Sequence, residues 1–375
     1  MAGEMNDALE FVYEALPQRV LFGAGRRHSL ADEIRRLAAT RAFVIADTAD
    51  GREIADGLAG EPGFEVVATW QEVVQHVPDT LAERARDAVT EADADLIVTI
   101  GGGSATGLAK AIALTHGLPI IAIPTTYAGS EQTTVYGITG DRHKQTGKSP
   151  VVLPKTVLYD PELTVGLPPH VTGPSAFNAL AHSVEGLYAP GANPVISALA
   201  MQAVGAIHRA LPKVMADPTD IAGRADVLYG AYLSGMALGA TATGFHHKIC
   251  HVLGGTFNLV HADAHSVILP HAVRFNAPAL PAEMAMLEHA LHAEPGDAAG
   301  ALWDLAVASH VPTSLVQLGL AFDDLGEAAD RATAEIQINP RPFTRADILA
   351  LLVRAFAGDR PCRVDQGRVG ASRDR

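Results

Sequence analysis

The chain has 375 residues, 48% hydrophobic and 19% charged, with a formal net charge of −14. That length is expected to form about two domains with real cores, and the acidic balance excludes broad binding to nucleic acid or to an anionic membrane, both of which need basic surface. The two cysteines, Cys250 and Cys362, exclude a disulfide framework and a thiolate zinc cluster.

The opening "MAGEMNDALEF" lacks the basic and then apolar order of a signal peptide. No apolar run reaches the ~18 residues of a membrane span, so a cytoplasmic location is expected. From there to about residue 160, short apolar runs alternate with amphipathic ones. Strands are expected at 41–47, 64–70, 95–100 and 119–126, and helices at 29–39 and 79–92. This alternation implies a mostly parallel, Rossmann-like sheet covered on both faces.

"DLIVTIGGGSATGLAKAIAL" reads as strand, glycine turn and helix. Gly101, Gly102 and Gly103 carry no Cβ, so a diphosphate can approach the backbone, and the helix N-terminus faces it. Ser104 and Thr106 can cap that helix or bond phosphate. The spacing is not the usual dinucleotide fingerprint, since three residues separate Gly103 from Gly107. A second loop, "PTTYAGSE", offers Thr125, Thr126, Tyr127 and Ser130 after the next strand. Asp47 closes the strand "FVIAD"; an acid there suits an adenosine ribose and repels a 2′-phosphate, which favours NADH while leaving NADPH possible. A plain turn aspartate is the competing reading.

Residues 158–175 hold prolines 161, 168, 169 and 174 and read as a domain junction. Beyond it apolar residues recur at helical spacing (176–189, 194–216, 223–244), so the second domain is expected to be all-α. The boundaries expected are 1–161 for the nucleotide domain, 162–360 for the helical domain and 361–375 for a flexible polar tail.

Six of the sixteen histidines lie between Gly244 and His271. His247 and His251 are four apart, as are Asn178 and His182, so each pair shares a helix face. His261 follows a glycine-containing break. A cleft between helices can gather these rings as a metal site or as a proton-handling pocket. His246, His265 and His271 read as ordinary core or surface histidines, and Cys250 as a small buried apolar residue.

Taken together, "GGGSATGLAKAIAL", "PTTYAGSE", "FNALAHSVEGLY" and "HHKICHVLGGTFNLVHADAHSVILPH" resemble the iron-containing (group III) alcohol dehydrogenase superfamily, and within it the maleylacetate reductase branch. The resemblance implies the dehydroquinate synthase-like fold: a nicotinamide-dinucleotide-binding α/β domain, an all-α domain, the active site between them, and a homodimer. Metal-dependent members hold their ion with an aspartate and three histidines. The matching positions here are Asn178, His182, His247 and His261. The acid is replaced by an amide, so no metal is expected. The activity implied is NAD(P)H-dependent reduction of the conjugated double bond of maleylacetate, a small dicarboxylate, to 3-oxoadipate in aromatic-compound catabolism. The alternative is a metal-dependent alcohol dehydrogenase or aldehyde reductase of the same superfamily. On the branch reading, His251 or His247 donates the proton, and Asn178, His182 and His261 line the substrate pocket. Lys248 clamps a carboxylate or is simply solvated. Tyr127 donates near the nicotinamide or packs there.

Overall fold

The computed structural model describes residues 10–140 and 143–364. Eight strands are formed among the described residues: β1 (Arg19–Phe22), β2 (Arg41–Ala46), β3 (Glu65–Trp70), β4 (Leu96–Gly101), β5 (Ile120–Pro124), β6 (Val135–Gly140), β7 (His143–Lys148) and β8 (Thr156–Tyr159). Six of them make one parallel sheet in the order β1-β8-β5-β4-β2-β3. The central strands β4 and β5 are buried along their whole length, which is why they read as unbroken apolar runs and not as alternation. Helices α1 (Leu30–Arg36), α2 (Ala49–Gly57), α3 (Asp79–Glu91) and α4 (Gly103–His116) cover the sheet, and each face has its own apolar cluster. β6 and β7 form a separate antiparallel hairpin.

After β3 the chain crosses back over β2 to lay down β4, and β5 and β8 continue outward on that side. The direction of winding therefore reverses between β2 and β4. That reversal, at the carboxyl ends of the strands, is where α/β sheets form the crevice that binds ligands.

Nine helices follow among the described residues: α5 (Pro169–Gly186), α6 (Pro194–Ala216), α7 (Ile221–Ala240), α8 (Phe245–Phe257), α9 (His261–Asn276), α10 (Pro281–Ala290), α11 (Ala298–Ala308), α12 (Leu325–Glu335) and α13 (Arg345–Ala357). Their starts are written in the sequence. Asn193 caps α6 through two backbone N–H groups with Pro194 behind it, and Asp220 caps α7. Thr344 and Asp347 form a reciprocal capping box on α13. One apolar core joins α5, α6, α7, α9, α10 and α11 to Ala122, Val157 and Tyr159 of the sheet, so the two layers share a core. A second core lies among α8, α9, α12 and α13.

Three expectations change. Prolines 168 and 169 start α5, and Pro174 is carried inside it, so part of the junction stretch is helix. Helix α6 has the length and hydropathy of a membrane span, with half of that window buried. Its buried stripe from Ile196 to Val214 packs into the core against α5 and α7, which accounts for its apolar character. Residues 361–364 do not form a loose tail: Pro361 is buried, Val364 N–H donates to the Gly296 carbonyl at 2.9 Å, and Arg360 and Arg363 pair with Asp297. Residues 365–375 lie outside the described residues.

Candidate active site

The crevice is lined by the two loops that the sequence singles out. Gly102 is the N-cap of α4 and no side chain caps the helix, so Ser104 and Thr106 do not cap it; its first N–H groups face the crevice as anion-binding donors. A Cβ on Gly101 would lie 2.8 Å from Ala105 Cβ and 2.9 Å from Asp47 Oδ1, and one on Gly102 or Gly103 would lie 3.0 Å from Thr126 Cγ2 or Ala128 Cβ. Gly102 and Gly103 are therefore needed for the two loops to nest, and Gly101 for Ala105 and Asp47 to approach the turn. Asp47 is exposed at the end of β2 with its carboxylate over Gly101. Thr125 N–H donates to the Gly101 carbonyl at 3.0 Å. Thr126 and Ser130 are half-buried beside it.

This second loop also touches the helical layer. Tyr127 N–H donates to Ser175 Oγ on α5 at 3.0 Å, and Asn178 Nδ2 reaches the Ala128 carbonyl at 3.5 Å. A Cβ added to Gly129 would sit 3.5 Å from His182 Nδ1. The nucleotide crevice and the histidines thus belong to one site.

Six imidazoles meet there. His182 and His247 stack at 4.9 Å, and His251 and His261 stack at 5.6 Å, with 6.2 Å between the His247 and His251 ring centres. His182 and His247 are buried, His261 is half-buried and His251 is exposed, so the cluster runs from the interior to solvent. Lys248 is half-exposed beside His247. Behind them His246 Nε2 and His265 Nδ1 share a hydrogen bond of 2.7 Å, and His265 Nε2 meets His261 Nε2 at 3.0 Å. Burial, with the neighbouring rings adding to it, pushes His182, His246 and His265 well below the usual imidazole range, so all three are neutral near pH 7.

Two members escape sequence reading. His265 is fully buried, as a core histidine would be, yet it is the hub, with rings packed on His182, His246, His247 and His261. Glu185, on α5, accepts from His247 Nδ1–H and from the backbone N–H groups of Gly244 and His246, at 2.8 and 2.7 Å for the last two. Burial works to raise Glu185, but His247 and these N–H groups outweigh it and hold the carboxyl below its ordinary range. It therefore both caps α8 and orients His247, whose Nε2 is left buried with no protein partner. Asn178, His182 and Glu185 lie at i, i+4 and i+7, one face of a helix, and that spacing was the available signal. Tyr127, by contrast, is fully buried with its hydroxyl accepting from Arg224 at 3.2 Å. It packs beneath the loop, the second of its two readings, and does not face a substrate.

A divalent ion at Asn178, His182, His247 and His261 would meet an amide and three imidazoles with no carboxylate among them. Asn178 Oδ1, His182 Nδ1 and His247 Nε2 are buried and without a hydrogen-bond partner, while His261 Nε2 is engaged by His265 and Glu185 is spent on His247 and α8. The four positions offer no carboxylate oxygen, the ligand that hard and borderline cations favour. His246, Cys250 and His265 bring possible ligand atoms within 4.8 Å of one another. Two of those atoms are bonded to each other, and burial raises the Cys250 thiol, keeping it protonated.

Residues 17–161 match the model of iron-containing alcohol dehydrogenase, and residues 172–356 match that of the C-terminal domain of the Fe-containing alcohol dehydrogenase family. Maleylacetate reductase 2 of Cupriavidus pinatubonensis is 46% identical over 362 residues, covering 96% of this chain and 100% of the relative. Maleylacetate reductase of Burkholderia cepacia is 47% identical, covering 94% and 99%. The crystal structure of maleylacetate reductase from Agrobacterium tumefaciens superposes with a TM-score of 0.90 at 42% identity, covering 94% of this chain and 100% of that one.

Proposed function

Because the chain belongs to the iron-containing alcohol dehydrogenase family, we propose that it is a maleylacetate reductase, which reduces the conjugated carbon–carbon double bond of maleylacetate to give 3-oxoadipate. The observation that supports this most is the amide at position 178 beside His182, His247 and His261, with Glu185 committed to His247. The family's name carries iron; the reading here is that this chain turns over without it.

Bound NAD(P)H supplies the hydride. The acceptor is the alkene carbon β to the ketone, so negative charge grows on the ketone oxygen as an enolate forms, and the α carbon then takes a proton. The chain must stabilise the first and deliver the second. Glu185 fixes the His247 ring with Nδ1–H toward the protein, so a proton carried at Nε2 is directed into the cleft. His251, exposed one turn further on, is assigned the exchange of that proton with solvent. His182 and His261 face the oxygen-rich diacid, and the half-exposed Lys248 is assigned the clamping of a carboxylate at the rim. The exposed Asp47 favours NADH over NADPH. A homodimer in the cytoplasm is part of the same reading.

Purified protein is mixed with maleylacetate and NADH while the loss of reduced-nicotinamide absorbance is followed and the product identified by mass spectrometry. Equimolar 3-oxoadipate is expected. No reaction with maleylacetate, with oxidation of simple alcohols by NAD⁺ in its place, would return the reading to a metal-dependent alcohol dehydrogenase.

A further inference from the structure

Lys110 lies about two turns into α4 and is fully buried. Its ammonium donates to the carbonyls of Ser130, Thr133 and Val135 at 2.6, 2.8 and 2.8 Å and to Thr133 Oγ1 at 2.9 Å. Burying a cation is unfavourable unless its donors are satisfied. Here all four acceptors are uncharged oxygens, one on Ser130 at the end of the second cofactor loop and three on Thr133 and Val135 just past it. Desolvation draws Lys110 down to about 7, and the charge of buried Glu131 opposes it. Glu131 in turn accepts from Tyr159 Oη at 2.7 Å, and Gln132 Nε2 donates to that hydroxyl at 3.0 Å. On its far side the loop rests on α7, where a Cβ on Gly235 would lie 3.0 Å from the Gly129 carbonyl oxygen and one on Gly239 would lie 2.6 Å from that of Gln132. The segment is gripped by an ammonium from the sheet side and by bare backbone from the helical side.

We propose that Lys110 is a positioning residue for cofactor binding: by clamping the carbonyls of Ser130, Thr133 and Val135, it holds the Thr125–Ser130 loop in the shape that receives the nicotinamide dinucleotide. The inference rests on the reading of that loop as a cofactor loop. An internal plug that only stabilises the fold would lower the folded fraction and leave the cofactor affinity of the folded molecules alone. A positioning residue changes that affinity.

The test uses Lys110→Met, close in shape and uncharged, and the milder Thr133→Val, which removes one of the four acceptors. NADH affinity is measured by fluorescence titration, steady-state constants with maleylacetate are determined, and circular dichroism checks the fold. In Lys110→Met the Kd and KM for NADH are expected to rise at least about tenfold, the size of one lost charge-assisted bond. The KM for maleylacetate and the kcat at saturating NADH are expected to stay near wild type. Thr133→Val is expected to weaken NADH in the same direction by a smaller factor, and it decides the matter should Lys110→Met fail to fold. Absence of NADH binding by the wild type would remove the cofactor reading and this proposal with it. Wild-type binding that no folded variant weakens would overturn the proposal alone.

Discussion

In the proposed function, position 178 sets what the histidines do. An amide there leaves three imidazoles with no anionic ligand, and Glu185 is already committed to His247 and to the start of α8. Asn178→Asp is expected to restore a cation site: metal content by plasma spectrometry after loading with zinc or ferrous iron and desalting should rise, with affinity up by roughly tenfold or more, while maleylacetate reduction falls. A variant that retains no more metal than wild type would count against this view of the pocket. Glu185 is the second test at this scale. Glu185→Gln keeps an oxygen for the α8 N–H groups but no longer holds His247 with a full charge, so kcat is expected to drop by roughly 10²-fold with little change in the KM for NADH. Wild-type turnover in that variant would take His247 out of proton handling.

At the level of elements, the crevice arises because the chain reverses its winding between β2 and β4, and because Gly102 and Gly103 let two loops nest at that point. The loop's other support is α7. Gly239→Ala would bring a methyl group to 2.6 Å from the Gln132 carbonyl oxygen, a backbone atom with little freedom. The overpacking is expected to cost about 1–3 kcal/mol, read as a lower urea midpoint, with weaker NADH binding. Unchanged values would mean that the loop is not seated on this helix. The central strands and long helices were legible because β2, β4 and β5 are unbroken apolar runs and α6 has its asparagine–proline start. The short edge strand β1, strand β8 and the β6–β7 hairpin were not. Four-residue strands carry little periodic signal, and "HKQTGK" is too polar to read as a strand at all. The pairs Asn178/His182 and His247/His251 were legible from helical spacing. The same rule applied to 182/185 and 261/265 would have reached Glu185 and His265, but an isolated buried carboxylate or imidazole looks like core until its partner across the cleft is known.

The whole molecule is two layers that share a core, and its interior holds histidines that burial keeps neutral. Such a molecule is acid-sensitive, and His271 gives the sign. Burial draws it from 6.5 down to about 4, Arg354 working in the same direction and Asp359 against it. Above pH 6.5 neither the folded nor the unfolded state holds the proton. As pH falls from about 6.5 to about 4 the unfolded chain takes it up first, so stability is lost across that window, on the order of 3 kcal/mol by its lower end. Unfolding free energy by urea titration is expected to fall between about pH 7.5 and about pH 5, and His271→Asn is expected to flatten part of that slope; an identical slope in the variant would remove His271 as a cause. The fold is proposed to reduce maleylacetate through an imidazole-lined pocket that holds no metal. This proposal is tested most directly by stripping the purified protein with a strong chelator, verifying its metal content, and measuring NADH oxidation with maleylacetate. Full turnover in the stripped protein is the expected result; loss of turnover that ferrous iron or zinc restores would contradict the account.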